Sequence, residues 1–136
     1  DYVMIMVEMA HDARIIPIDK DHRPDAWKPW LGDSVAHWDG DVLVVETRNL
    51  HPQQAPRNIA ALSNEGVVVE RFSRFSDEQI LYEFEVRDPI FYTEAWSGEM
   101  AFNATDTQPY EYACHEGNYG LPGILAGARR LEMDEQ

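Results

Sequence analysis

The chain has 136 residues, 44% of them apolar and 11% aromatic, with 25 acidic residues against 11 basic ones and a formal charge of −14. This length and apolar fraction suit one hydrophobic core in a single domain over residues 1–136, and the acidic surplus argues against nucleic-acid backbones and anionic membrane surfaces, which are bound by Lys and Arg displacing counterions. No apolar run approaches the roughly 18 residues that span a bilayer, and the lone Cys114 excludes an internal disulfide or a multi-thiolate metal site.

From Tyr2 to Tyr112 the apolar residues fall in short β-branched and aromatic runs separated by Gly, Pro, Asp and Asn, a strand-and-turn pattern. The expected class is all-β, a bent antiparallel sheet or small barrel with strands over about 2–116, lipocalin-like only by analogy. The opening "YVMIMVEM" pairs with "ARIIPI" across His11-Asp12, and Pro17 pushes the second strand toward a sheet edge because it lacks a ladder donor. No signal peptide precedes Asp1, and strand sequence at the very start reads as a processed or trimmed beginning. A loop from Asp19 to Gly32 follows, rich in Pro and carrying Trp27 and Trp30, two indoles that need something to cover.

"SVAHWDGDVLVVET" predicts a hairpin turning at Asp39-Gly40 in a type I′ turn, with Trp38 opposite Asp41 and His37 opposite Val42. One face then carries Trp38, Ala36, Leu43 and Val45; the other carries His37, Val35, Val42 and Val44, with Asp33 and Glu46 at its far end. "VVVERFSR" and "ILYEFEVRD" make a second hairpin. Pairing Arg74 with Ile80 gathers Val68, Phe72, Tyr82, Phe84 and Val86 on one face and sets Arg71 opposite Glu83 on the other, a register that a one-residue slip would ruin. Glu70 falls on the apolar face, opposite Phe84. A carboxylate there must be hydrogen-bonded, paired or protonated, because desolvating an unpaired charge costs several kcal/mol.

"IFYTEAWSGEMAFNA", broken at Ser97-Gly98, and "YEYACHEGN" supply further strand sequence. After Gly120 the period becomes helical. Leu121, Ile124, Leu125, Ala128 and Leu131 fall on one stripe, Pro122 suits the first turn, and Arg129 and Arg130 suit the C-terminal end, predicting a helix over about 121–133 that closes against the sheet.

The blocks "WLGDSVAHWDGDVLVVETRNL", "VVERFSR…ILYEFEVRDP" and "YEYACHEGNYGLPGILAGAR" together resemble a family of uncharacterised bacterial proteins. The resemblance covers nearly the whole chain. Its last block is the most distinctive, joining a cysteine, a histidine, an acid and an asparagine in order, and its weakest stretch lies between Leu50 and Gly66. Members of that family are longer, with an export signal and an upstream segment, so the chain resembles their C-terminal part. The resemblance implies an exported or periplasmic protein and brings no activity with it.

Several residues are candidates for chemistry. "EYACHEGNY" concentrates Glu111, Cys114, His115, Glu116, Asn118 and Tyr119. A strand there would send Cys114 and His115 to opposite faces, so a Cys/His nucleophile pair would need His37 or His11 from elsewhere; a lone cysteine is more often a small buried hydrophobe. His11, Asp12, His37, His115 and Glu116 are suitable donors for zinc or a related ion, but their spacing matches no metal cassette, and the plainer reading is turn and core histidines. Glu70 is the candidate for acid/base work, with Glu8, Asp88 or Glu111 as partner; the rival is a structural pair with Arg14, Arg71 or a backbone edge. Asp88-Pro89 reads as a strand-ending turn.

The first reading is a protein that binds a small apolar or aromatic molecule in a pocket rimmed by His37, Glu70, His115 and Tyr119 and lined by Trp30, Trp38, Phe84 and Tyr112, with no cofactor. The alternatives are an isomerase, lyase or hydrolase in which Glu70, His37 and His115 do acid/base or metal-assisted chemistry, and an interaction module that offers a strand edge to a partner or to a second copy.

Overall fold

The β-branched and aromatic runs become seven strands in a computed structural model that describes residues 1–54, 60–113 and 116–134. Strands β1 (Tyr2–Val7) and β2 (Asp12–Pro17) form an antiparallel hairpin, joined by a one-turn 3-10 segment at Met9–His11. Strands β3 (Asp33–Asp39), β4 (Val42–Arg48), β5 (Val67–Arg74), β6 (Gln79–Arg87) and β7 (Trp96–Asn103) form an antiparallel meander in which each strand pairs with the next. One helix, α1 (Gly120–Asp134), follows. The class is all-β with a short C-terminal helix. The meander is an open sheet with β3 and β7 at its edges, so the small-barrel form of the expectation does not arise.

The second hairpin has the expected register, with Arg74 opposite Ile80, Arg71 opposite Glu83 and Glu70 opposite Phe84. The first differs. Trp38 pairs with Leu43 and Asp39 with Val42, so the turn residues are Gly40 and Asp41 rather than Asp39 and Gly40. Only Gly40 has a positive φ, +60°, which is the type II′ arrangement with glycine at the first central position. The register moves by two residues. Because side chains alternate with period two, that shift leaves the same residues on each face.

Each face has a consequence. The inner face of the sheet presents Ala36, Leu43, Val45 and Phe72, and the β1–β2 hairpin lies across it, burying Ile16 with Val3 and Ile5 alongside. A parallel bridge from Ile18 to Ala36 and the hydrogen bond from Asp19 N–H to the Ala36 carbonyl tie the hairpin to β3. A second cluster, Leu50, Leu62 and Val86 with Val68, Phe84, Tyr92 and Trp96, closes the other end of the same face beneath the connecting loops.

Three further expectations are corrected. Ser97-Gly98 does not break a strand. β7 runs through it, and the absent side chain of Gly98 makes room for the Phe84 ring opposite, to which a Cβ would approach within 2.7 Å. Tyr110 to Ala113 and Glu116 to Tyr119 lie outside the strands, so the last strand ends at Asn103; Cys114 and His115 lie outside the described residues. Helix α1 forms, but none of its described residues is buried, so it does not close the sheet, and Arg130 pairs with Asp134 along the helix. Gly123 and Gly127 weaken the helix, and it leaves the part of the inner face beyond the hairpin open, where Ile80, Met100 and Phe102 stay partly exposed.

Candidate functional site

Glu70 is 6% exposed, in the middle of the inner face. It is paired and hydrogen-bonded. Arg14, reaching down from β2, donates from Nη2 to Oε2 at 2.7 Å, and the Tyr82 hydroxyl donates to Oε1 at 2.9 Å. Burial first, and then the negative charge of Glu70, push the Tyr82 phenol well above its usual range, so it stays protonated and keeps donating. Tyr82 is itself held between Phe72, Phe84 and Phe102 at ring separations of 5.0, 5.7 and 5.1 Å.

Arg14 also lines a half-open cleft of about 340 Å³ between β2 and the loop before β3, together with Ile15, Arg23, Trp30, Asp33 and Ser34. The remaining donors of the Arg14 guanidinium have no partner among the described residues, and its Nε is buried. Trp30 leans on the His51 ring at 5.1 Å, which holds the indole at the cleft. Arg23 lies over the Trp27 ring at 3.7 Å while its N–H bonds to the Asp33 carboxylate at 2.9 Å.

Behind the cleft wall sits a group that strand patterning does not reveal. His22 lies between two carboxylates, Nδ1 at 2.8 Å from Asp33 and Nε2 at 3.2 Å from Glu46. Its imidazole is 10% exposed. Strand alternation places Asp33 and Glu46 on one face, but nothing in the spacing of a Pro-rich loop announces that His22 folds back between them. The contact pins the loop to β3 and β4, and with it the positions of Arg23 and Trp30.

The residues expected to rim one pocket are not brought together. Glu70 points to the inner face, whereas His37 is exposed on the outer face. Trp38 shares the inner face but is mostly exposed at the hairpin tip, and Phe84 packs in the second cluster against Trp96. Tyr119 is 79% exposed; Tyr112 is half exposed, and its N–H bonds to Glu8 Oε1 at 3.2 Å. His115 lies outside the described residues. Of the expected lining residues, Trp30 alone is at the cleft beside Arg14.

His11 is exposed in the hairpin turn with φ +57° and its Nδ1 is 3.2 Å from the Glu8 carbonyl, while Glu116 is exposed. Among the described residues no group of three or more His, Cys, Asp or Glu side chains is placed to hold a metal ion. Asp88 terminates β6 as a turn-forming carboxylate. It accepts from the Ser63 N–H and hydroxyl and from the N–H groups of Ile90 and Phe91. Burial works against its ionisation, yet these donors outweigh it and hold the carboxyl below the usual carboxylate range. Among the described residues no helix is long and apolar enough to cross a membrane.

No protein-family model matches the chain, and the searches of curated proteins and of solved structures matched nothing.

Proposed function

We propose that the chain binds a small, flat, largely apolar molecule carrying a carbonyl or carboxylate oxygen, in the cleft between β2 and the loop before β3. The observation that carries this reading is the Arg14 guanidinium. Among the described residues Glu70 holds it through one nitrogen and its other donors are unpaired, and Arg14 and Trp30 line one cleft. Small-molecule sites combine an apolar wall with a few placed polar groups in this way. A guanidinium supplies planar donors to an oxygen acceptor, and an indole supplies a face for a ring.

The acid/base reading of Glu70 has less support, since a carboxylate engaged by both Arg14 and Tyr82 is committed to holding those partners. Phenylacetate is a suitable probe, with its uncharged analogue 2-phenylethanol as control. For about ten heavy atoms at the efficiency typical of small ligands, a Kd near the millimolar range is expected. NMR titration should move the Arg14 Nε–H and Trp30 Nε1–H signals with phenylacetate and less with the alcohol, and Trp30→Ala should weaken binding at least fivefold. Saturable binding that leaves both signals unmoved, or equal affinity of Trp30→Ala, overturns the reading.

A further inference from the structure

The outer strand of the hairpin is the second feature that calls for a partner. Among the described residues, strand β1 pairs with β2 on one side only. Its sequence, YVMIMV, contains no charge, proline or glycine, so it has none of the devices by which edge strands discourage pairing. By contrast, the free edge at β7 carries Glu99 and Gly98. Tyr2, Met4 and Met6 stand 69%, 63% and 64% exposed on the face away from the core, while Val3 and Ile5 are partly buried on the other.

The ladder shows which backbone groups are free. The Ile18 N–H bonds to the Asp1 carbonyl at 3.0 Å, and Tyr2 stands opposite Pro17, which has no N–H. Asp1, Val3, Ile5 and Val7 therefore exchange hydrogen bonds with β2, and the N–H and C=O groups of Tyr2, Met4 and Met6 point to the open edge. We propose that this edge joins β1 of a second copy of the chain in an antiparallel, twofold-symmetric ribbon centred on Met4.

Symmetry and side-chain alternation select that register. To keep Val3 and Ile5 on the core side of both copies, residues of like parity must face each other. Placing Met4 opposite Met4 of the partner subunit sets Tyr2 opposite Met6 of the partner subunit, and every outward-facing backbone group of these residues finds its complement. The choice of a second copy rests on charge. The chain is strongly acidic as a whole, yet the strand that would meet itself is uncharged from Tyr2 to Val7, so self-pairing sets no like charges opposite one another. An isologous contact of this kind closes as a dimer rather than a filament.

Sedimentation equilibrium at about 10 and 200 µM, with amide hydrogen exchange of the full chain at the same concentrations, tests the proposal. A monomer–dimer equilibrium is expected, with the Met4 and Met6 amides at least tenfold better protected at the higher concentration. Met4→Lys, an exposed position, should leave far-UV circular dichroism and the unfolding midpoint unchanged and remove the dimer by opposing two ammonium groups at the axis. The double variant Tyr2→Lys, Met6→Glu puts opposite charges across both outer pairs of this register and should restore or strengthen dimerisation relative to either single variant. A monomer at 200 µM, assembly beyond a dimer, a dimer that survives Met4→Lys, or protection that appears elsewhere than at β1 each overturns the proposal.

Discussion

Replacing Arg14 with methionine keeps the length of the stem and removes the charge that Glu70 faces. The two groups meet at 2.7 Å, with Glu70 buried and the Arg14 side chain 24% exposed. With charge centres about 4 Å apart, an effective dielectric constant of about 20 gives an attraction of about 4 kcal/mol, and the partial exposure of Arg14 trims it to about 3 kcal/mol. The Tyr82 hydrogen bond remains but does not neutralise the carboxylate. In urea, with a slope of about 2 kcal/mol per M, the midpoint should fall by about 1.5 M. The decisive measurement is a double-mutant cycle. Glu70→Leu in the Arg14→Met background removes the stranded charge and should recover about 2 kcal/mol or more, because replacing a whole buried pair by apolar groups is close to neutral while breaking it is not. If Arg14→Met costs under about 1 kcal/mol, or if the double variant is as weak as the sum of the singles, Glu70 is not the centre of the inner face and the reasoning fails.

Other outcomes follow from the same geometry. Asp88→Asn should cost about 1–3 kcal/mol at pH 7 by weakening the acceptor for Ser63, Ile90 and Phe91. Because the folded carboxyl titrates below its unfolded value, its stabilisation is complete above the usual carboxylate range and is lost as pH falls through the folded value; the gap between wild type and variant in urea midpoints should therefore narrow with acidification and not with added base. Gly98→Ala should cost about 1–3 kcal/mol and alter the near-UV circular dichroism, since its Cβ would fall 2.7 Å from the Phe84 ring, which Trp96 and Tyr82 hold in place. His22→Ala should raise the rate of proteolytic cleavage within residues 20–32 several-fold by releasing the loop from Asp33 and Glu46, while cleavage elsewhere stays unchanged.

Alternation was enough to place the faces of this protein. Period two alone put Glu70 opposite Phe84, separated Val68, Phe72 and Tyr82 from Arg71 and Glu83, and put Asp33 and Glu46 on one face. It survived even a wrong turn at Gly40, because a two-residue shift conserves parity. Taking the β3–β4 and β5–β6 pairs one at a time, however, did not show that His37 and Glu70 fall on opposite faces once β4 and β5 are joined. Nor did local pattern say how the five strands end, and an open sheet covered by a hairpin shares its strand signature with a closed barrel.

The contacts that define the cleft are decided in three dimensions. Arg14 and Glu70 are 56 residues apart in sequence, and His22 reaches Glu46 across 24. Such meetings depend on how the β1–β2 hairpin and a proline-rich loop lie over the sheet. Helix α1 shows the converse. Its period is legible residue by residue because hydrogen bonding along a helix is local, but whether its apolar stripe is covered depends on where the chain after β7 carries it, and none of its described residues is buried although Met100 and Phe102 leave apolar surface on the inner face.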